Sequence, residues 1–350
     1  MARVDLCVMG GGIFGLSIAW AAARRGASVR LCEARHLGAG ASGGLVGALA
    51  PHVPESWNVK KAFQLDSLLM AADWWAEVEA AAGQSAGYGR SGRLQPLEDA
   101  RAVDMARARA AEAAVLWQGR AEWQVIPATG AAWEPVSPSG WLVRDTLTAR
   151  LHPRLALAAL AAALRARGAQ VVLGQDQPEE GPAPVIWATG VAGLAALSAD
   201  LGRRLGAGVK GQALSLRFEA REAPQLFVDG LHIVPHADGT VAIGSTSETQ
   251  WQDDTATDAQ CDGLHARAVA ALPVLADAPV VDRWAGLRPR AASRAPMLGA
   301  WPGRPGQFIA NGGFKIGFGM APKLAEVMVD LVLEGRDALP DAFRLDASFR

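Results

Sequence analysis

Cysteine, lysine and net charge are all scarce in this chain of 350 residues. The three cysteines, Cys7, Cys32 and Cys261, form no CxxC pair and no Cys/His cluster, so the sequence indicates neither a disulfide framework nor a metal site. The net charge of -1 is not typical of proteins that bind nucleic acid or an anionic membrane surface. We therefore expect a small-molecule partner and no nucleic acid.

Long apolar runs are missing as well. No stretch of about 18 uninterrupted apolar residues occurs, so no membrane span is expected. No basic segment followed by an apolar one precedes the first strand-like run, and we therefore expect no signal peptide and a cytoplasmic protein. Hydrophobic residues make up 50% of the chain and charged residues 20%, which suits one large α/β domain or two interleaved domains.

Glycine is concentrated where the first predicted strand ends. Residues 4–9 (VDLCVM) form an apolar, strand-like run, and residues 10–15 (GGGIFG) follow the pattern G-x-G-x-x-G. Residues 16–25 then have the spacing of an alanine-rich helix. A strand, this glycine pattern and a helix in that order are typical of a dinucleotide-binding unit.

Each residue of this unit has a physical role. Gly10 allows a tight turn, Gly12 lets the backbone approach a pyrophosphate, and Gly15 lets the helix pack closely on the strand. Glu33, at the end of the second predicted strand, can accept hydrogen bonds from ribose hydroxyls and disfavours the 2′-phosphate of NADP. The cofactor-binding residues predicted here are Gly10, Gly12, Ile13, Phe14, Gly15, Glu33 and Ala34.

A second glycine-rich stretch, residues 38–52 (GAGASGGLVGALAPH), indicates a backbone that passes close to a ligand. This stretch resembles a conserved segment of the D-amino-acid oxidase superfamily, particularly of glycine oxidase and monomeric sarcosine oxidase. In those enzymes the segment wraps the FAD pyrophosphate and reaches the isoalloxazine ring. The resemblance implies phosphate contacts by Ala41 and Ser42 and flavin contacts by Val46, Gly47 and Ala48.

The resemblance extends over nearly the whole chain. Further segments match the motifs of this family in the same order: residues 185–190 (VIWATG), 209–213 (VKGQA), 231–248, 284–289 (WAGLRP) and 310–322 (ANGGFKIGFGMAP). They imply additional cofactor contacts at Thr189, Gly190, Gly312, Gly313, Phe314, Lys315, Ile316 and Gly317.

The fold class implied is α/β, with a Rossmann-type FAD-binding domain interleaved with an α+β substrate domain built on a mostly antiparallel sheet. The FAD-binding parts are predicted at residues 1–84, 139–210 and 285–350, and the substrate-domain parts at residues 85–138 and 211–284. Helices are predicted at residues 61–82, 107–116, 153–167 and 323–334, and a hairpin of two strands at residues 231–236 and 240–244.

The substrate site is predicted from cations, because the flavin carries the chemistry and the protein has to orient the substrate. By resemblance, Arg288 and Lys315 anchor a substrate carboxylate, and a guanidinium can do so with two parallel hydrogen bonds. His232 stands where glycine oxidase has a tyrosine that touches this carboxylate, and it would make activity depend on pH near neutrality. His52 is the last residue of the glycine-rich stretch, which would place it over the active-site entrance.

Two departures from the family pattern bear on the oxidant and on the attachment of the cofactor. Ala242 stands where sarcosine oxidase has a lysine that promotes reaction with oxygen. Residues 293–308 contain no cysteine that could bind the flavin covalently, so we expect noncovalent FAD.

The sequence thus predicts an FAD-dependent enzyme that oxidises the C–N bond of a small amine or amino acid, with O2 as acceptor and H2O2 as product. The same-fold alternative is a dehydrogenase that passes electrons to a quinone or a protein. Residues 40–52 are also similar to the oxidase half of a bifunctional tRNA-modifying flavoenzyme, although the neutral charge argues against RNA. A non-catalytic FAD-binding subunit is a further alternative, which Arg288 and Lys315 oppose; a homo-oligomer is left open.

Overall fold

The computed structural model of the chain describes residues 4–349. The strands are β1 (Leu6–Met9), β2 (Val29–Glu33), β3 (Ala48–Leu49), β4 (Arg93–Pro96), β5 (Trp123–Pro127), β6 (Trp141–Asp145), β7 (Ala149–Arg150), β8 (Gln170–Leu173), β9 (Val185–Trp187), β10 (Gly206–Arg217), β11 (Gln225–Val228), β12 (Leu231–Pro235), β13 (Thr240–Gly244), β14 (Val280–Ala291), β15 (Met297–Ala300) and β16 (Gln307–Asn311). The helices are α1 (Ile13–Arg24), α2 (Val59–Ala82), α3 (Ala100–Leu116), α4 (Pro153–Ala166), α5 (Gly190–Asp200), α6 (Ala259–Ala271) and α7 (Gly317–Glu334).

The first large sheet has six strands in the order β15-β16-β9-β1-β2-β8. Strand β15 is antiparallel to β16, and the other neighbours are all parallel. The carboxyl ends of five strands therefore lie along one edge of this sheet, which is the edge where open α/β sheets bind ligands.

Alternation along β1 divides its side chains between two apolar layers. Leu6 and Val8 are fully buried in the main core, together with residues of α1, α4 and α7. Cys7 and Met9 point to the other face and pack in a smaller cluster with Cys32. The strand is covered on both sides, as a parallel strand with an unbroken apolar sequence should be.

The second large sheet has eight strands in the order β14-β10-β13-β12-β11-β4-β6-β5. Its pairs are antiparallel except for β11 with β4, which is parallel. Helix α6 covers one face, where Leu214 and Ile243 are fully buried. The opposite face carries small residues such as Ala213 and Ala242, which pack against Leu45 of the glycine-rich stretch. This opposite face can therefore approach the six-stranded sheet closely.

The predicted helices exist, with differences at their ends. Helices α2 and α4 begin and end within two residues of the prediction. Helix α3 begins at Ala100 rather than at residue 107, because the Asp99 carboxylate caps it by accepting a hydrogen bond from Ala102 N at 2.8 Å. Helix α7 begins at Gly317 rather than at residue 323 and continues through Pro322, although proline removes one backbone donor.

The strands do not follow the predicted domain boundaries closely. Strand β6 joins the eight-stranded sheet, although residues 139–210 were assigned to the FAD-binding domain. Strands β10 and β14, of 12 residues each, run past the boundaries at residues 210 and 285, because their pairing continues through the junction between the two sheets. The division into domains stays a prediction.

Within residues 4–349, none of the helices combines the length and the apolar character needed to cross a membrane. In the same part of the chain, no group of three or more His, Cys, Asp and Glu side chains is placed to hold a metal ion.

Candidate active site

Three helices begin at the carboxyl edge of the six-stranded sheet. Helices α1, α5 and α7 follow β1, β9 and β16, which are neighbouring parallel strands. Their N-cap residues, Gly12, Thr189 and Ile316, make no side-chain capping hydrogen bond. Free N–H groups and the positive ends of three helix dipoles therefore point toward this edge, which suits an anionic ligand such as a diphosphate.

The glycine turn has the geometry that the sequence predicts. Gly10 has φ 112°, which strongly favours glycine. A Cβ atom on Gly15 would lie 1.9 Å from the carbonyl oxygen of Gly10, so helix α1 can approach the strand only with glycine at this position. Ile13 and Phe14 form the first turn of α1 after it.

Glu33 ends the strand next to β1, beside this turn. Its carboxylate accepts hydrogen bonds from the backbone N–H of Gly11 at 2.7 Å and of Arg35 at 2.9 Å. The carboxylate retains lone pairs for two ribose hydroxyls. Ala34 follows Glu33 and is exposed.

The glycine-rich loop (residues 38–52) runs from the first helix to the second sheet. Its turn at Ala41–Gly43 places Ser42 Oγ 3.0 Å from the N–H of Ile13, from which it accepts a hydrogen bond. Gly47 has φ 62°, and a Cβ atom there would lie 1.7 Å from the carbonyl oxygen of Leu151. Val46 lies between them, and a Cβ atom on Gly244 of the eight-stranded sheet would be 2.7 Å from its side chain. The loop thus packs tightly against the start of α1, against Leu151 and against the eight-stranded sheet.

His236 holds this loop, and the sequence analysis missed it. The buried ring donates from Nε2 to the carbonyl oxygen of Leu45 at 2.9 Å. Burial and the neighbouring His152 lower its pKa to about 4, so the ring is neutral at pH 7. The strand alternation that starts at His232 was the available signal, since residues 232, 234 and 236 share one face.

Arg288 lies on β14, and its guanidinium is held in a fixed position. Nη1 donates to Ser245 Oγ at 2.6 Å, and Nη2 donates to the carbonyl oxygens of Lys210, at 3.3 Å, and Thr246. The side chain crosses over Gly211, where a Cβ atom would lie 2.2 Å from Arg288 Nη2. Arg288 was predicted as a site residue, but the residues that hold its guanidinium were not. They become its neighbours only when β10, β13 and β14 pair.

The charge of Arg288 is not neutralised by the protein. Burial lowers its pKa to about 10, and Glu248 acts in the opposite direction, so the guanidinium is a cation at pH 7. Glu248 accepts a hydrogen bond from Gln212 at 3.1 Å and lies 3.9 Å from Lys210 Nζ. Arg288 Nε is buried without a hydrogen-bond partner among the described residues.

Lys315 lies close to Arg288, on the segment that joins β16 to α7. This segment also contains Gly312, whose φ is 76°. The Phe314 ring centroid is 5.8 Å from Lys315 Nζ and 5.6 Å from Arg288 Cζ. Partial desolvation and the charge of Arg288 lower the pKa of Lys315, although the residue is exposed to solvent. A carboxylate placed between these cations would relieve their repulsion.

His232 joins the same group of side chains. Its ring centroid is 4.7 Å from that of Phe227, and its Nδ1 atom is buried without a hydrogen-bond partner in residues 4–349. Burial, followed by the charges of Arg93 and Lys315, lowers its pKa to about 3. The expected titration near neutrality is therefore wrong for this environment, because burial and two cations disfavour the imidazolium.

We expect His232 to leave the pH profile unchanged. Because its pKa is about 3, the ring is neutral from pH 5.5 to 8.5 and has no proton to lose there. A His232→Gln protein should lower kcat/KM about tenfold, as for one hydrogen bond, with the same profile shape as the parent. A profile with an inflection between pH 6 and 7 that disappears in His232→Gln would contradict this assignment.

The structure places His52 with a different partner. Its backbone N–H donates to Gln64 Oε1 at 3.0 Å, and its Nδ1 atom contacts the same oxygen. Burial lowers the pKa of His52, with smaller contributions from Lys60 and Lys61. The structure thus brings Arg288, Lys315 and His232 together and ties His52 to helix α2.

These features are typical of a dinucleotide-binding protein, with the cations Arg288 and Lys315 close together beside the second sheet. The chain belongs to the DAO family of FAD-dependent oxidoreductases, because the model of that family, described as "FAD dependent oxidoreductase", matches residues 5–331. This match confirms the predicted family, the FAD cofactor and the oxidoreductase class.

Several known proteins are similar to the chain. A glycine oxidase from Pseudomonas aeruginosa is 36% identical over 134 residues, which cover 38% of this chain and 36% of that protein. The bifunctional protein ThiO/ThiG from a Nostoc species is 27% identical over 94% of this chain and 53% of that protein. The matched regions thus span between a third and a little over half of these relatives.

A solved structure supports the fold over the full length. The crystal structure of glycine oxidase from Geobacillus kaustophilus matches with a TM-score of 0.83 and 23% identity, and covers 99% of each chain. The predicted fold class, a mixed α/β architecture with a partly antiparallel second sheet, is confirmed.

Proposed function

We propose that this protein is an FAD-dependent amino-acid oxidase. It oxidises the C–N bond of a small amino acid or secondary amine, and water then hydrolyses the imine. The observation that carries this proposal is the buried Arg288 guanidinium, which lacks a carboxylate partner beside two further cationic side chains. The glycine oxidases among the similar proteins support the same reaction class.

The residues present fit FAD. The three helix starts would receive the diphosphate, and at the first of them, formed by Ile13 and Phe14, Ser42 Oγ already accepts the N–H of Ile13. Glu33 would bind the adenosine ribose, and the segment from Val46 to Ala48 would lie along the isoalloxazine. The bound flavin would supply the hydride acceptor, while the protein supplies the position of the substrate.

The substrate carboxylate would bind to the positively charged Arg288 guanidinium, where Nη1 has one hydrogen that Ser245 does not use, with Lys315 as a second positive charge. Since Ser245 and Thr246 already fix the guanidinium, little side-chain entropy is lost when substrate binds. The cation pair thus fixes which carbon faces the flavin.

His232 would act as a neutral hydrogen-bonding group. Its unpartnered Nδ1 atom can accept a hydrogen bond from a substrate N–H, whereas an imidazolium would repel the neighbouring cations. Retention of the amine in its neutral form is necessary, because an ammonium group has no lone pair to assist loss of hydride.

An anaerobic titration tests the proposal. Glycine, sarcosine, D-alanine or D-proline should bleach the flavin absorption band of the purified yellow holoenzyme, because each couples a carboxylate to an oxidisable amine. Acetate and propionate are the control. They have a carboxylate but no amino group, and they should leave the flavin oxidised. If no amino acid or secondary amine reduces the flavin, the proposed function is wrong.

A dehydrogenase is the second candidate, and Ala242 favours it. This residue is fully buried opposite Ser215 and Val234, and it stands where an oxygen-promoting lysine was expected by resemblance. Readmission of air to the reduced enzyme distinguishes the two acceptors. Fast reoxidation with stoichiometric H2O2 supports the oxidase, and slow reoxidation that a quinone accelerates supports the dehydrogenase.

We also propose that the flavin is held without a covalent bond. Residues 293–308 contain no cysteine, and Cys7, Cys32 and Cys261 are buried in apolar clusters. Acid precipitation should therefore release all of the flavin into the supernatant.

A further inference from the structure

We propose that the substrate carries a second acidic group and that Arg290 recognises it. This inference rests on the proposed function, because it names the substrate class of the same site. The substrate would be an amino acid with two carboxylates, one bound by Arg288 and the other by Arg290.

Arg290 lies on the same strand as Arg288. It follows Arg288 by two residues on β14, and side chains two residues apart in a strand point to the same face of the sheet. The distances agree with this, since Cζ of each arginine lies 5.6 Å from the Phe314 ring centroid. With Lys315 Nζ at 5.8 Å, three cations surround one aromatic ring.

Among the described residues, acids do not compensate the positive charges of this group. Within residues 4–349, Arg288, Arg290 and Lys315 form no salt bridge with a carboxylate. Glu248, whose charge acts on Arg288, lies in the Lys210 and Gln212 network. This uncompensated charge is a local feature, because the chain as a whole has a net charge of -1.

The anions assigned so far leave Arg290 without a partner. The FAD diphosphate would meet the helix starts near Ile13, and the α-carboxylate of a simple amino acid would meet Arg288 and Lys315. Arg290 then has no anion, and a partly buried guanidinium gains most from a ligand that offers two oxygens. A second carboxylate supplies this partner.

The reaction stays balanced for such a substrate. Iminodiacetate loses a hydride and a proton and takes up one water, and with O2 as acceptor the products are glycine, glyoxylate and H2O2. D-aspartate is the corresponding substrate with the second carboxylate on the side chain.

Matched pairs of substrates test the inference on the holoenzyme. Iminodiacetate differs from sarcosine by one carboxylate, and D-aspartate differs from D-alanine in the same way. In anaerobic stopped-flow experiments, the measured quantity is the limiting rate constant of flavin reduction divided by the Kd for the substrate. For at least one diacid this ratio should be about tenfold higher than for the matching monoacid. The Arg290→Gln protein should lose this preference. Its flavin should still be reduced by the monoacids with an efficiency within about threefold of the parent.

The control variant is Arg283→Gln, on the same strand. Arg283 binds Asp262 at 2.8 Å on the surface, so its loss should leave the diacid preference unchanged. The inference is overturned if the parent prefers the monoacids, or if Arg290→Gln retains the diacid preference.

A binding experiment separates this inference from the proposed function. Malonate and acetate cannot be oxidised, and their binding can be measured from the change in the flavin absorption spectrum. Tighter binding of malonate that disappears in Arg290→Gln supports the inference even if no amine reduces the flavin. Equal binding of both acids by the parent overturns it.

Discussion

A Gly15→Val protein is expected to bind FAD at least about a hundredfold more weakly than the parent, which corresponds to ~2.7 kcal/mol. The reason is geometric, because the added Cβ atom would lie 1.9 Å from the carbonyl oxygen of Gly10. That oxygen is backbone and cannot move aside as a flexible side chain could. Helix α1 would have to shift away from β1, and its N-terminal N–H groups would leave the diphosphate.

The measurement is the Kd of the apoprotein for FAD, from quenching of flavin fluorescence, with circular dichroism to show that the variant is folded. The control is Gly263→Ala, because a Cβ atom at Gly263 in α6 meets nothing within 4 Å. That variant should bind FAD normally and should be slightly more stable, since alanine favours helix by about 1 kcal/mol. A folded Gly15→Ala protein with the parental Kd would refute the close-packing argument.

The cofactor end of the site could be predicted because its parts are close in sequence. The strand, the glycine turn, the helix and the acid at Glu33 all fall within residues 4–33, and each follows from a local rule. The glycine-rich loop follows directly, and its glycines are required by positive φ angles or close backbone contacts, as at Gly47.

The supports of the site could not be predicted in the same way. His236 binds the carbonyl of Leu45, 191 residues away, and Ser245 binds Arg288, 43 residues away. These pairs become neighbours only through the strand order of the eight-stranded sheet, which no local pattern specifies. Arg290 differs from these residues, because it follows Arg288 by two positions and the alternation of a strand is enough to place both on one face. It could therefore have been predicted from the sequence.

The protonation state of His232 also depended on the fold. A histidine side chain that is not perturbed by its surroundings has a pKa near 6.5. The expectation that His232 changes its charge near neutral pH followed from that value. The folded chain surrounds the ring with apolar atoms and two cations, both of which oppose protonation. Desolvation and charge are properties of three-dimensional neighbours, and residue type alone cannot supply them.

Arg288→Ala is expected to weaken binding of the substrate carboxylate by about 30-fold to more than 1000-fold, or ~2–5 kcal/mol. Arg288 as a whole residue is 7% exposed, so an ion pair of its guanidinium with a carboxylate would be well shielded from water. Arg288→Lys should recover only part of the loss, because an ammonium group is a point charge that cannot keep the planar contacts with Ser245 and Thr246 and also face the carboxylate. The measurement is the apparent Kd for substrate in anaerobic flavin reduction, together with the limiting reduction rate.

Gly211→Val is the second variant, because it keeps the arginine and displaces it. A Cβ atom at Gly211 would lie 2.2 Å from Arg288 Nη2, so the guanidinium must leave its contacts with Ser245 and Thr246. A merely structural arginine would affect stability in both variants, whereas an anchor affects substrate affinity while FAD binding stays intact. The surface variant Arg283→Gln should change neither quantity.

The pH dependence gives an independent check on the same anchor. Binding of a carboxylate requires protonated Arg288, whose pKa is lowered to about 10, and the pKa of Lys315 is lowered as well. The affinity for acetate, which has no titrating amine, should therefore be constant near neutrality and decrease as the pH rises through about 10, whereas an ordinary arginine would stay charged there. If Arg288→Ala leaves the affinity unchanged at pH 8, the carboxylate binds elsewhere, and the orientation of substrate over the flavin must be assigned to other residues.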